Sequence, residues 1–186
     1  MAAAMLMTTP SYAGPDMDAA APATGPAAVD AFITLSEDDV QVEEESKRQH
    51  YAVHESGGAK VLAVDLQDWV YQMCEEYGIA GYEPLILSML YQESGYNPGL
   101  VHHGNYGMAQ INQCNHKRLR RDLGITNFLD AHQSIRAGVF MMSEALRANG
   151  YNESMALSAY FTGRNGISST HYSNRVLVIK NSMVAI

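Results

Sequence analysis

From Val61 onward the chain places apolar residues at helical intervals. Val61, Leu62, Leu66, Trp69, Val70, Met73 and Tyr77 recur every three or four residues and predict a first helix, which Gly78 ends. Pro84 suits the first turn of a second helix, whose body is the apolar run Leu85-Ile86-Leu87-Ser88-Met89-Leu90 and which Gly95 and Pro98 close. Residues 99–113 set Gly99, Gly104 and Gly107 between aromatic and β-branched residues, which predicts a loop with a small hairpin. Asn115 to Leu123 reads as a short helix with a basic face (Lys117, Arg118, Arg120, Arg121), followed by Gly124. Asp130 with Gln133 forms a capping box that opens a helix through Ile135, Val139, Met142 and Leu146, ended by Asn149-Gly150. Ser154 to Phe161, closed by Gly163, and Tyr172 to Val184 complete the set. About six helices with almost no strand predict an all-α domain over residues 61–186.

The residues before Val61 lack this periodicity. Met1–Met7 is a short apolar stretch, and Ser11 and Ala13 are the small residues a signal peptidase needs. We read residues 1–13 as a remnant of a secretory signal without its positive n-region, and the protein as exported. Residues 14–31 have the Ala, Pro, Gly and Asp content of a linker, and Glu37-Asp38-Asp39 and Glu43-Glu44-Glu45 follow. No glycine-punctuated calcium loop accompanies these acids. Residues 14–60, ending at Gly57-Gly58, are expected to be a disordered acidic leader. Of the net charge of −8, residues 1–60 carry −7 and residues 61–186 carry −1. The folded part therefore has no basic face for nucleic acid, and no run is long enough to span a bilayer. Cys74 and Cys114 could form one disulfide in an exported protein or remain thiols; two cysteines do not decide. His102, His103, Cys114 and His116 fit no standard zinc spacing, so no metal is expected; these are read as loop residues, with His103 beside a groove. The eleven methionines read as adaptable core filler.

The chemistry concentrates on Glu93, a carboxylate at the end of the apolar second helix. Desolvation there disfavours the charged form, raises the pKa and suits the group to donate a proton near neutral pH. The other acids between Pro84 and Gly163 are Asp122, Asp130, Glu144 and Glu153. Asp130 is a helix cap, Asp122 lies among arginines, and Glu144 and Glu153 fall on a helix surface and in a turn. Glycosidic cleavage usually employs two carboxylates. With one, the attacking group must be water or a hydroxyl of the substrate.

Four segments carry a resemblance: Glu93-Ser94 with Tyr96-Asn97-Pro98; Tyr106-Gly107-Met108-Ala109-Gln110-Ile111-Asn112; Ala159-Tyr160 with Gly163; and Tyr172 before Arg175-Val176-Leu177. In this order and approximate spacing they resemble the successive motifs of the soluble lytic transglycosylase family, in the lysozyme-like superfamily. The resemblance covers about Val61 to Leu177. It implies a lysozyme-like all-α fold and a lyase that cuts the β-1,4 bond between N-acetylmuramic acid and N-acetylglucosamine, leaving a 1,6-anhydro end. It also implies no cofactor, and peptidoglycan glycan strands as the partner, within an unidentified cell-envelope context. Carried over residue by residue, it makes Glu93 acid and then base, and places Ser94, Gly107, Met108, Gln110, Asn112, Tyr160 and Tyr172 at the substrate. Two positions depart from the family. Ala109 stands where a methionine that packs on a sugar is usual, and Phe161 stands where an asparagine is usual. Two alternatives stand beside the lyase: a lysozyme-type hydrolase on the same fold using water, and a glycan-binding module with weakened catalysis, to which these two departures give weight.

Overall fold

The computed structural model describes residues 48–55 and 57–186. The signal remnant, the linker and both acidic runs lie outside the described residues. Among those described, six helices run in the order α1 (Val64–Glu76), α2 (Glu83–Ser94), α3 (Gln113–Leu123), α4 (Ala131–Ala148), α5 (Glu153–Thr162) and α6 (His171–Ser182). The fold is mainly α, with two small antiparallel sheets. One sheet is β1 (Tyr51–Glu55), β2 (Gly58–Val61) and β6 (Met183–Ala185), with β1 central; the other is β3 (Val101–His102), β4 (Asn105–Tyr106) and β5 (Ile111–Asn112).

The centre of the domain is α2. Leu85, Ile86, Leu87, Met89 and Leu90 are each at most 1% exposed. A helix apolar all round must be enclosed on all sides, and α2 touches α1, α4 and α6. Enclosing these five side chains contributes roughly 10 kcal/mol before chain entropy is counted. Pro84 occupies the first turn, as its sequence position predicts, and Gly95 caps the helix in the left-handed conformation. The Gly95 N–H donates to the Tyr91 carbonyl at 2.8 Å. This cap fixes where α2 stops, and therefore where Glu93, in its last turn, is held.

Four expectations need correction. Residues 51–55 and 57–60 are not leader: Ala52 and Val53 are core residues, and β1 pairs with both β2 and β6. Fully buried Gln67 on α1 explains the pairing. Its Oε1 accepts from the Tyr51 N–H at 2.9 Å, and its Nε2 donates to the carbonyls of Tyr51 and Leu62, each at 3.0 Å. The first helix accordingly starts at Val64, with Val61 in β2 and Leu62 buried after it. The last helix ends at Ser182, because Met183–Ala185 extend to pair with Tyr51–Val53. The capping box on α4 is half formed. Asp130 accepts from the Gln133 N–H at 2.9 Å, but the Gln133 side chain turns outward and accepts from the N–H groups of Thr126 and Asn127.

The cysteines are unbridged: Cys74 is buried in α1 and Cys114 is exposed at the start of α3. Burial pushes the Cys74 thiol well above its ordinary range. His116 stacks on Phe128 at 3.8 Å between ring centroids and meets the Ile111 carbonyl. No group of three or more His, Cys, Asp or Glu residues that could hold a metal occurs among the described residues.

Gly107 sits where β4 turns toward the segment before β5. Its φ is +76°, and a Cβ there would lie 1.9 Å from the Phe128 carbonyl oxygen. Gly124, capping α3 at φ +67°, has open space around it. Gly124→Ala is therefore expected to lose only the left-handed penalty, about 1–2 kcal/mol. Gly107→Ala adds a backbone collision and is expected to lose at least about 3 kcal/mol. Urea unfolding midpoints of the two variants check the ranking, and equal losses would contradict the packing described for Gly107.

Candidate active site

A groove of about 640 Å³ runs past the end of α2. One wall comes from Gln110, Asn112 and the start of α3, and the other from the outer face of α4 and the C-terminal turn of α5. Glu93 lines it, half-buried. The Tyr172 hydroxyl donates to Glu93 Oε1 at 2.5 Å. Burial raises the Glu93 carboxyl from its ordinary value to about 7, against the smaller lowering effect of the Tyr172 hydrogen bond. Tyr160 and Tyr172 are themselves pushed well above the ordinary tyrosine range by burial and by the nearby Glu93. Both therefore remain neutral donors across the pH range in which Glu93 titrates.

Of the other residues drawn from the motifs, Gln110, Asn112 and Tyr160 also line the groove. Gln110 adopts φ +46°, uncommon for a side chain with a Cβ. Its Nε2 donates to the carbonyls of Leu100 at 3.1 Å and Gly107 at 2.9 Å. These two bonds hold the strained turn and fix the amide orientation, leaving Oε1 as the acceptor for a groove ligand. Asn112 caps α3, accepting from the Cys114 N–H, while its Nδ2 donates to Asn105 Oδ1. The Tyr160 hydroxyl donates to the Ala109 carbonyl at 2.8 Å and ties α5 to the segment carrying Gln110.

Three motif residues are scaffold. The Ser94 hydroxyl donates to the Met108 carbonyl at 2.8 Å and accepts from the Asn97 N–H at 3.1 Å, joining the end of α2 to that same segment. Met108 is buried in the core, and Gly107 is the close approach described above. Neither lines the groove. Ala109 is fully buried beside Gly138, where an added Cβ would lie 2.7 Å from that of Ala109. A methionine nevertheless reaches the groove wall: Met141, from α4. His103, expected beside the groove, instead sits at the β3–β4 turn with its ring against His102.

The residues not anticipated lie on α4 and around it. Met141, Glu144, Ala145 and Ala148 follow a helical spacing that puts them on one face, and that face is a groove wall. Glu144 is a second carboxylate on the groove. Both its oxygens accept from Arg118 Nη1, at 2.8 and 2.9 Å, and the guanidinium also lies over the Phe140 ring. Arg118 is thus neither a free basic face nor a lone cation. Asp122 pairs with Arg121 at 2.6 Å, as its neighbours on the helix suggest. Phe161 also lines the groove, 62% exposed.

Glu93 is an acid whose proton affinity rises on folding. Between its ordinary pKa and about 7 the folded state binds more protons than the unfolded one, so this group lowers stability progressively as pH rises through that window. Glu93→Gln is expected to be more stable than wild type at pH 8, by up to about 3 kcal/mol, with the gain vanishing below the ordinary carboxylate pKa. Paired denaturant melts at pH 4 and pH 8 measure it; a pH-independent difference would mean that Glu93 is not desolvated.

Residues 71–181 match the family model of the Transglycosylase SLT domain. The matched span begins within α1 and includes Glu93, the β3–β5 segment, the groove wall of α4 and the Tyr160 and Tyr172 positions. With more than half of its length matched, the chain belongs to the SLT transglycosylase family, lysozyme-like in fold and acting on peptidoglycan.

Proposed function

We propose that the protein is a peptidoglycan lytic transglycosylase, exported to the cell envelope, in which Glu93 acts first as acid and then as base. The observation that supports this best is a half-buried carboxyl on the groove that keeps its proton up to about pH 7. The other groove carboxylate, Glu144, is engaged by Arg118 on both oxygens. Catalysis by one free carboxyl matches a reaction in which the substrate supplies its own nucleophile.

In that reaction protonated Glu93 donates to the glycosidic oxygen between N-acetylmuramic acid and N-acetylglucosamine. Because the Tyr172 hydroxyl donates to Oε1, the transferable proton resides on Oε2. The C1–O bond breaks, the glucosamine leaves with a 4-hydroxyl, and positive charge develops at muramic C1. The Glu93 carboxylate, held ionised for this moment by the Tyr172 hydrogen bond, takes the proton from the muramic C6 hydroxyl. That oxygen closes on C1 to give the 1,6-anhydro ring, and Glu93 is protonated again with no water consumed. Gln110 and Asn112 offer amide groups to the sugar hydroxyls, while Ser94 and Tyr160 keep the segment bearing Gln110 against α2 and α5.

Glu93→Gln is expected to keep the fold and to lose activity on peptidoglycan suspensions by at least about 10²-fold. Glu144→Gln is expected to lose no more than about fivefold, because a partly exposed ion pair is worth at most about 1 kcal/mol. Comparable large losses in both would indicate a two-carboxylate hydrolase. Mass spectra of the soluble products should contain anhydro-muropeptides, one water lighter than reducing ends. Reducing ends alone would reject the lyase chemistry, and retention of insoluble peptidoglycan with nothing released would indicate a binding module. The initial step needs protonated Glu93, so kcat/KM should fall about tenfold per pH unit above a midpoint near 7. A rate flat to pH 9 would exclude Glu93 as the acid.

A further inference from the structure

Phe161 is a large apolar side chain on the wall of the groove. It lies in the last turn of α5 and remains 62% exposed. Leaving such a ring in water forgoes roughly 1.5–3 kcal/mol of burial, and concave ligand sites characteristically combine aromatic side chains with a few placed polar groups. One face of the ring is occupied. It stacks on Tyr172, with centroids 4.8 Å apart and planes 9° from parallel. Tyr172 in turn holds Glu93 at 2.5 Å. The exposure therefore belongs to the other face and the edge, and the ring stands one aromatic layer from the reacting carboxyl.

The groove around it suits a pyranose. Asn105, Gln110, Asn112 and Asn165 supply neutral amides, which match equatorial hydroxyls. A pyranose also has an apolar C–H face, and amides cannot recognise it. A fixed aromatic plane can, and it loses little entropy on binding because the helix and the Tyr172 stack already hold it. We propose that Phe161 is a sugar-stacking platform: its free face takes the C–H face of one pyranose of the glycan strand, in the subsite next to Glu93. This rests on reading the groove as a glycan site. It assigns to the phenyl ring, at the position where the family carries an amide, a recognition role for the sugar ring itself and not for the peptide stem.

The test uses the full-length chain in a Glu93→Gln background, titrated with chitohexaose, a β-1,4-linked N-acetylglucosamine hexamer without peptides, and with insoluble peptidoglycan. Phe161→Ala and Phe161→Leu should each weaken binding of both ligands about tenfold, while Phe161→Tyr and Phe161→Trp should remain within about twofold, as expected of an aromatic stack. The leucine variant separates stacking from plain apolar contact. In the active background, Phe161→Ala should raise KM, with kcat and the alkaline limb of the pH profile little changed. Wild-type-like affinity in the alanine variant would overturn the platform and leave the function standing. So would unchanged binding combined with a displaced pH limb, which would mean that the ring only shields Tyr172 and Glu93. If the Phe161-intact Glu93→Gln protein binds neither ligand, the glycan reading of the groove fails and the platform with it.

Discussion

The domain depends on one electrostatic constraint: a carboxyl placed where water cannot fully solvate it. The apolar enclosure of α2 creates that condition. Because Leu85 to Leu90 are surrounded by three other helices, the last turn of α2 emerges from a dry interior, and Glu93 is the carboxylate it carries. Gly95 decides that the helix stops there and not a turn later. The Tyr172 hydroxyl is the counterweight. Burial alone would hold the proton more firmly still, and one neutral donor offsets part of that effect. The proton affinity of Glu93 thus follows from the balance between an enclosed helix and a single hydrogen bond.

The second constraint is mechanical. The segment carrying Gln110 includes a left-handed non-glycine residue and a glycine pressed against a backbone carbonyl. Such a turn persists only when its surroundings hold it in place. Ser94, Tyr160 and the Gln110 amide each bond to a carbonyl of this segment or of its flanks. Much of the motif pattern is therefore scaffold: it keeps a strained loop rigid so that two amides face the groove.

Much of this was legible in the sequence, for a physical reason. Helical periodicity, Pro84 and the glycine caps are local signals, and they placed every helix of the described residues within a few positions. Glu93 stood out because an acid three residues beyond a largely apolar run, in the same helix, is itself a local anomaly. What escaped the reading was non-local. Strand β1 exists because Gln67 and a strand more than a hundred residues later satisfy its backbone, and nothing in Tyr51–Glu55 announces those partners. The wall formed by Met141, Glu144, Ala145 and Ala148 looked like an ordinary exposed helix face, since the helical pattern does not tell which exposed face meets a neighbour across a groove. Phe161 was visible as a departure from the family, but its stack on Tyr172 depends on the approach of two helices. The cysteines could not be paired or separated without knowing that one is enclosed and the other exposed.

The bond between Arg118 and Glu144 has a consequence for how a glycan would arrive. Their charges cancel within the wall, Glu93 is uncharged over much of the acidic and neutral range, and the rest of the lining is uncharged side chains. The cleft lining itself therefore carries little net charge, and any long-range field at it is set by the rest of the chain, whose net charge is −8. Once a glycan is in the cleft, recognition depends on shape, hydrogen bonds and stacking, and salt acts on its arrival only through those outlying charges.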